Sequence, residues 1–477
     1  MSDELCELTA TEQSSLVQKR EVSAVELLEA HLRRIDRLNP VLNAIVTRDD
    51  EGARASAREA DRMLAAGDPV GPLHGLPVAH KDTHETAGMR TTWGSPLRRD
   101  YVPRDDELII ARLRTAGAIR VGKTNVPEWG AGSHTFNPVF GPTRNPWDTS
   151  RSAGGSSGGA AAALATGMVA LAEGSDMGGS LRNPAAFCNV VGFRPTPGRV
   201  PTVPAALPWQ TLVVQGPMGR TVSDVALMLS AIAGPDPRAP LSRLDPEPAC
   251  HSRDGFRGLR VAWAPDLGGR IPVDRTITEV LAPAADLVEE LGGVLVDACP
   301  DLSGADETFD VLRAWQQAVL LGDLVREHPE QVKETVRWNV ERGFRLTGED
   351  IGRAEVAHGR LHRQVLAFFD EVDVLLAPTT QVLPFDVDLE YPAEVDGRPM
   401  STYLEWMRSC SLISATGCPA VSVPGGFTAE GLPVGLQIVG APHADLQVLG
   451  IAQVWEEKTG HHTRRPSCLS DDDFLTC

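Results

Sequence analysis

Between Gly154 and Ser180 the chain reads GGSSGGAAAALATGMVALAEGSDMGGS, which sets Ser156 and Ser180 in separate Gly-Gly-Ser turns 24 residues apart. Ala160 to Ala165 is built from strong helix formers and carries no charge, so it predicts a buried helix opening at the glycines. Met168 to Ala172 predicts an interior strand leading into the second serine turn. A Gly/Ser-rich run taken alone reads as a flexible linker. A linker is not followed by a core, and that constrains this segment to the inside of a folded domain. Glycines directly before a serine let the backbone approach a ligand and turn its N–H groups inward, which is how an anion hole is made. Upstream, Lys81 sits in the apolar frame GLPVAHKDTHETAG and is a candidate base for two otherwise unactivated hydroxyls.

Other pattern matches fail on context. Gly117 to Thr124, GAIRVGKT, fits the phosphate-loop spacing, but its variable residues read as a strand and Asn125, Pro127 and Gly130 block the required helix. GGSSG fits the nucleophile elbow with Ser156 at its centre and His328, His358 or His443 as partners, yet Arg144 to Ser152 reads as loop where that elbow needs a strand. His80 and His84 have the spacing of two helical metal ligands, but Lys81 between them repels a cation and no glutamate follows His80, so no metal is expected.

The 477 residues can bury an ample core, and 42% hydrophobic with 23% charged residues is ordinary for a globular protein. A net charge of −19 disfavours non-specific binding to nucleic acid or anionic membrane. Small-molecule substrates are the expectation, with no cofactor and with a monomer or homo-oligomer as the working unit. Cys6, Cys188, Cys250, Cys299, Cys410, Cys418, Cys468 and Cys477 show no CxxC spacing and read as free thiols. The acidic start MSDELCELTATEQ lacks a signal-peptide pattern, and no apolar run is long enough for a membrane span, which makes the cytoplasm the expected address.

Ser23 and Glu26 form a capping box for a helix with the stripe Val25, Leu28, Leu32 and Ile35, expected to stop at Asn39-Pro40. From Gly71 onward apolar runs alternate with helical periods: strands at Ala118 to Val121 and Leu259 to Ala264, and a helix from Thr221 to Ala233. That alternation predicts an α/β sheet. Residues 1–65 are expected to be a helical segment packed on an α/β domain of residues 66–477, with a proline-rich surface connection at 236–248. Further strands are expected at Val372 to Ala377, Ala420 to Val423 and Leu436 to Val439, so both halves of the chain complete the sheet.

The chain resembles the amidase signature family, and the likeness runs through ordered motifs from about residue 5 to 460: GLPVAHKD, AGMRTTWGS, VGKTNVPEWG, FGPTRNPWD, the double serine turn, SLRNPAAFCNVVGFRPTPGRV, QGPMGRTVSDVA, and TGCPAVSVPGGF with GLPVGLQIVG. The resemblance implies a single large α/β domain with a central mixed, twisted sheet flanked by helices. It implies that Ser180 is the acyl-forming nucleophile, that Ser156, after a cis peptide bond, is a bridging serine, and that Lys81 is the terminal base. It also implies an oxyanion hole from the backbone N–H groups of Met177, Gly178, Gly179 and Ser180, with Ser175, Asp176 and Arg182 orienting the turn. The activity it implies is hydrolysis of a small-molecule amide, with esters or carbamates as side substrates. The alternatives are the A subunit of a glutamyl-tRNA amidotransferase, which supplies ammonia to a partner, and a non-catalytic binding scaffold. The amidotransferase segments GSDTGGSIRQPA and KPTYG stand here as GSDMGGSLRNPA and RPTPG, which favours a stand-alone amidase. His80, where many relatives have an apolar residue, and Met177, where they have a small or β-branched one, depart from the family pattern. Pocket walls are expected from 128–137 and 385–407.

Overall fold

The structure, a computed structural model, describes residues 2–243 and 255–466. Its centre is an eleven-stranded sheet. In chain order the strands are β1 (Ile45–Arg48), β2 (Pro77–Lys81), β3 (Ile119–Thr124), β4 (Leu171–Asp176), β5 (Val191–Arg194) and β6 (Val214–Gly219). The second half adds β7 (Arg260–Trp263), β8 (Val294–Val296), β9 (Val374–Pro378), β10 (Ala420–Phe427) and β11 (Pro433–Val439). Their spatial order is β1-β3-β2-β4-β6-β5-β10-β11-β9-β7-β8. The sheet is mixed: β3, β2 and β4 run parallel, as do β9, β7 and β8, while β6, β5, β10 and β11 pair antiparallel between them. Both halves of the chain therefore share one sheet, as expected. No helix among the described residues is long and apolar enough to cross a membrane.

The central strands are buried along their whole length, β2 and β10 to β11 nearly without interruption, which is what a sheet covered on both faces requires. The helix Gly158–Ala165 is buried at every position, matching its lack of a polar stripe. The helix Ala24–Leu42 opens with the Ser23–Glu26 capping box and buries Leu28, Leu32 and Ile35, but Val25 is only half-buried. It does not stop at Asn39-Pro40. Pro40 lies within it, and the end comes at Asn43, whose left-handed backbone closes the turn while Asn39 accepts the N–H groups of Ala44 and Ile45. A proline in the last turn is tolerated here because the asparagine side chain takes over the capping.

Three further expectations are corrected. The strand placed at Met168 to Ala172 lies at Leu171–Asp176, because β6 pairs with its polar end, Pro217 opposite Glu173 and Val214 opposite Asp176. Arg144 to Ser152 is not plain loop but a small hairpin of Arg144–Asn145 with Asp148–Ser152, outside the main sheet. Residues 1–65 are not wholly helical, since Ile45–Arg48 forms the sheet's edge strand against β3. Of the 236–248 connection, positions beyond 243 lie outside the described residues, as do Cys250, Cys468 and Cys477. Cys6, Cys188, Cys299, Cys410 and Cys418 are free thiols.

Candidate active site

Lys81 is the last residue of β2, and Ser175 and Asp176 end β4; these strands pair in parallel, Val78 with Leu171 and Ala79 with Ala172, so their ends emerge on one edge of the sheet. Ser156 reaches the same place from the turn before helix Gly158–Ala165, after a cis Gly155–Ser156 bond. Gly154 has φ +73°, and a Cβ there would come 2.8 Å from the backbone of Pro184, so the turn admits only glycine. Lys81 Nζ is 2.8 Å from Ser156 Oγ, 3.0 Å from Ser175 Oγ and 3.5 Å from the Ser175 carbonyl. Lys81 is wholly buried, and no carboxylate lies within ion-pair distance of it among the described residues.

The second serine turn is shaped by Asp176. Its carboxylate accepts the N–H groups of Gly179 (2.9 Å) and Leu181 (3.1 Å), and Arg182 grips it with Nε at 3.0 Å and Nη2 at 2.9 Å. Arg194 donates to the Asp176 carbonyl at 2.6 Å. Gly179 has φ +109°, and a Cβ there would meet Asn183 and Cys410 at 2.6 Å. The Ser157 N–H donates to the Ser180 carbonyl at 3.1 Å, tying the two serine turns together. The N–H of Gly179 is thus occupied by Asp176, whereas those of Met177, Gly178 and Ser180 have no acceptor among the described residues.

Burial lowers the Lys81 pKa from 10.5 to about 7, against the opposing pull of Asp176 and then Glu173. Burial works against ionisation of Glu173, yet His80, which sits 3.2 Å from Oε2, holds its carboxyl down at about 2 with help from His84 and the Lys81 N–H at 2.9 Å. Asp176 is held well below the usual carboxylate range: burial opposes this, but Arg182 and Arg194 outweigh it. Arg194, the other cation on this carboxylate, is pushed down by burial to about 10.

At this edge Lys81 meets Ser156 and Ser175, and the turn carrying Asp176, Met177, Gly178, Gly179, Ser180 and Arg182 is joined to them through the Ser157 N–H on the Ser180 carbonyl; among the described residues no side-chain hydrogen bond links Ser180 to Ser156. His80 lies on a strand and His84 in the following turn, and their Nδ1 atoms contact Glu173 and Glu107 (2.8 Å) instead of converging on one point. Among the described residues no group of three His, Cys, Asp or Glu side chains is arranged to hold a metal ion.

Several groups at the site were not legible as such in the sequence. Ser152 Oγ meets His134 Nδ1 at 2.6 Å while accepting the Gly154 N–H at 3.0 Å, and His134 Nε2 donates to the Val387 carbonyl at 2.9 Å. This serine–histidine pair braces the Ser156 turn; its hydroxyl and both ring nitrogens are already spent. Gly130 faces Ser156, since a Cβ there would stand 4.0 Å from Ser156 Oγ. Phe309 and Met407 abut Gly178, and Arg313 donates to Met177 Sδ at 2.9 Å. Gly130, His134, Val387 and Met407 fall in the two stretches expected to wall the pocket, whereas Ser152, Phe309 and Arg313 lie outside them and depend on partners far away in the chain.

With the sheet and the edge described, comparison with known proteins fixes the class. The amidase family model matches residues 26–449, and the chain belongs to the amidase signature family, enzymes that hydrolyse amide bonds. It is 37% identical to an acylamidase of Rhodococcus erythropolis over 96% of this chain and 97% of that one. It is 36% identical to the A subunit of the glutamyl-tRNA(Gln) amidotransferase of Ralstonia nicotianae, over 95% of this chain and 98% of that one. Among solved structures, a bacterial aryl acylamidase superposes with a TM-score of 0.88 at 29% identity, covering 96% and 99% of the two chains. A 6-aminohexanoate cyclic dimer hydrolase gives 0.87 at 27% identity over 98% and 100%.

Proposed function

We propose that this enzyme hydrolyses the carbon–nitrogen bond of a small-molecule amide through a covalent acyl-enzyme on Ser180. The observation that carries the reading is the wholly buried Lys81, with Nζ 2.8 Å from Ser156 Oγ and no carboxylate partner among the described residues. A neutral amine has two N–H groups and one lone pair. Directed at Ser175 Oγ and the Ser175 carbonyl, the N–H groups leave the lone pair for the Ser156 hydroxyl. Ser156 then gives its proton to Lys81 while taking one from Ser180, and Ser180 Oγ attacks the amide carbon. The resulting oxyanion is met by the N–H groups of Met177, Gly178 and Ser180, the members of the expected hole that Asp176 leaves free. On collapse the C–N bond breaks and Ser156 returns a proton to the leaving nitrogen, replenished from the Lys81 ammonium. Water attacks the acyl ester by the same relay, releasing the acid and restoring Ser180.

The near-equal similarity to amidotransferase A subunits supports a second reading, in which the chain releases ammonia from glutamine for a partner. One experiment separates these. A fluorophosphonate probe labels Ser180 of the purified chain, located by mass spectrometry, and the same chain hydrolyses a simple aryl amide unaided; Ser180→Ala removes both. Labelling on Ser156 overturns the assignment of the nucleophile, and turnover of glutamine alone, only with partner subunits, favours the second reading.

A further inference from the structure

The long helix Ala305–Glu327 runs beside the second serine turn. Phe309 lies against Gly178, and four residues on, one helical turn along the same face, Arg313 lies against Met177. Arg313 carries a full positive charge and is only 5% exposed. It donates one N–H to Met177 Sδ and one to Tyr403 Oη at 2.8 Å, with the guanidinium centre 5.8 Å from the Tyr403 ring. Thioether sulfur is a weak acceptor, and a guanidinium has five N–H groups to satisfy. Arg313 Nε is buried without any partner. No carboxylate lies within ion-pair distance among the described residues: Asp310, three residues earlier on this helix, lies 3.7 Å from Arg342 and feels Arg313 only at longer range. A buried cation short of both counter-charge and acceptors is costly unless something supplies them.

The neighbouring arginines differ from it in counter-charge, although Arg194 Nε is likewise buried without a partner. Arg182 and Arg194, equally buried, both reach Asp176 and several carbonyls. Arg408, farther along the same wall, is paired with Asp306 at 2.8 Å. Arg313 alone of these four is left with a sulfur and a phenol. Gln317, one further turn along its stripe, also keeps a buried oxygen unpartnered, before the stripe passes into the apolar cluster of Leu321 and Val325. Phe309 touches Gly178 and also lines a cavity of about 490 Å³ walled by Asp310, Trp338, Arg342 and Met400; Arg313 and Met177 are not among its walls.

We propose that Arg313 is a specificity residue that binds a carboxylate on the acyl arm of the substrate. The direction follows from the relay. The leaving nitrogen must lie near Ser156, which faces Gly130, so the amine arm occupies that side and the acyl arm the opposite one, along Met177 toward Arg313. A carboxylate there accepts the free guanidinium N–H groups as charge-assisted hydrogen bonds. The preferred substrates are then amides of dicarboxylic acids, or of acids bearing a comparable anion. This inference rests on Ser180 as the acylated serine.

The test compares kcat/KM for two 4-nitroanilides of similar length, the glutaryl one with a terminal carboxylate and the neutral hexanoyl one. The wild-type enzyme prefers the glutaryl substrate by roughly tenfold or more, the size expected for a charged hydrogen-bonded contact. Arg313→Met abolishes that preference, and Arg313→Lys, which keeps the charge without the fork, retains part of it. A wild-type ratio at or below one overturns the proposal even if Arg313→Met fails to fold, and so does an unchanged ratio in either folded variant. Fluorophosphonate labelling of Ser180, read on the same samples, keeps the two readings apart: labelling with no substrate preference sinks only the role of Arg313, whereas failure of wild-type labelling sinks the acyl-enzyme.

Discussion

Lys81 and Lys123 lie on adjacent parallel strands, β2 and β3, and both are wholly buried. The register pairs His80 with Lys123 and Lys81 with Thr124, so the two ammonium groups leave opposite faces of the sheet. Burial lowers both pKa values, to about 7 for Lys81 and about 8 for Lys123. Neither forms an ion pair among the described residues. What separates them is the partner. Lys81 meets the hydroxyl of Ser156, beside the glycine turn of Ser180. Lys123 donates to the His84 carbonyl and, at 2.9 Å, to Thr86 Oγ1, whose own proton goes to the same carbonyl. A carbonyl cannot pass a proton on, so Lys123 fastens a turn. Desolvation makes a lysine capable of being neutral; in the proposed relay it is the neighbouring hydroxyl that makes that neutrality useful.

The largest expected effect tests this asymmetry directly. Lys81→Met lowers kcat/KM by roughly 10²–10⁴-fold, the usual contribution of a positioned general base, while fluorescence and circular dichroism report an intact fold. Lys81→Arg is no better, because arginine stays protonated. Wild-type rates in Lys81→Arg reduce Lys81 to a source of positive charge and erase the comparison. Next, Lys123→Met changes kcat/KM by less than about tenfold, and its effect falls on unfolding, where releasing the His84 and Thr86 acceptors is worth about 1–3 kcal/mol. A Lys123 variant as inactive as the Lys81 one, with its fold intact, breaks the distinction.

The pH dependence sharpens it. Activity rises with pH through about 7 as Lys81 loses its proton, and this limb persists in Lys123→Met. The stability consequence has a definite sign. Below about pH 7 Lys81 is charged in both folded and unfolded chains and its full burial penalty stands; between about 7 and 10.5 only the unfolded chain holds the proton, so the penalty falls as pH rises. The stability advantage of Lys81→Met over wild type, read from urea midpoints, is therefore greatest near pH 7 and shrinks toward pH 10. The smallest effect is expected from Glu173→Gln. It keeps an acceptor for the Lys81 N–H but removes a charge that favours the ammonium, so the activity limb moves to lower pH by a fraction of a unit. A shift to higher pH contradicts this electrostatic account.

Local patterns with a local cause were readable in advance. The Ser23–Glu26 capping box, the charge-free helix after Gly158 and the helix capped by Thr221 depend on residues three or four apart. Strand limits were less so, because pairing decides them: the polar end of β4 is held inside only because Glu173 meets His80 and the Lys81 N–H on β2. An apolar window could place the strand but not carry it through Glu173, Ser175 and Asp176.

The sequence by itself determined the inventory from which the proposed relay is built: two glycine-framed serines, an apolar-framed lysine, and a motif order shared with amidases. Each is encoded within a few residues, where glycine conformation and short-range turns act. Tertiary structure alone decided how those groups are charged and whom they face. Lys81 and Ser156 are 75 residues apart, His134 and Val387 are 253 apart, and Arg313 reaches Met177 across 136. Desolvation and counter-charge are sums over everything that packs around a group, and for these residues nearly all of it comes from distant parts of the chain.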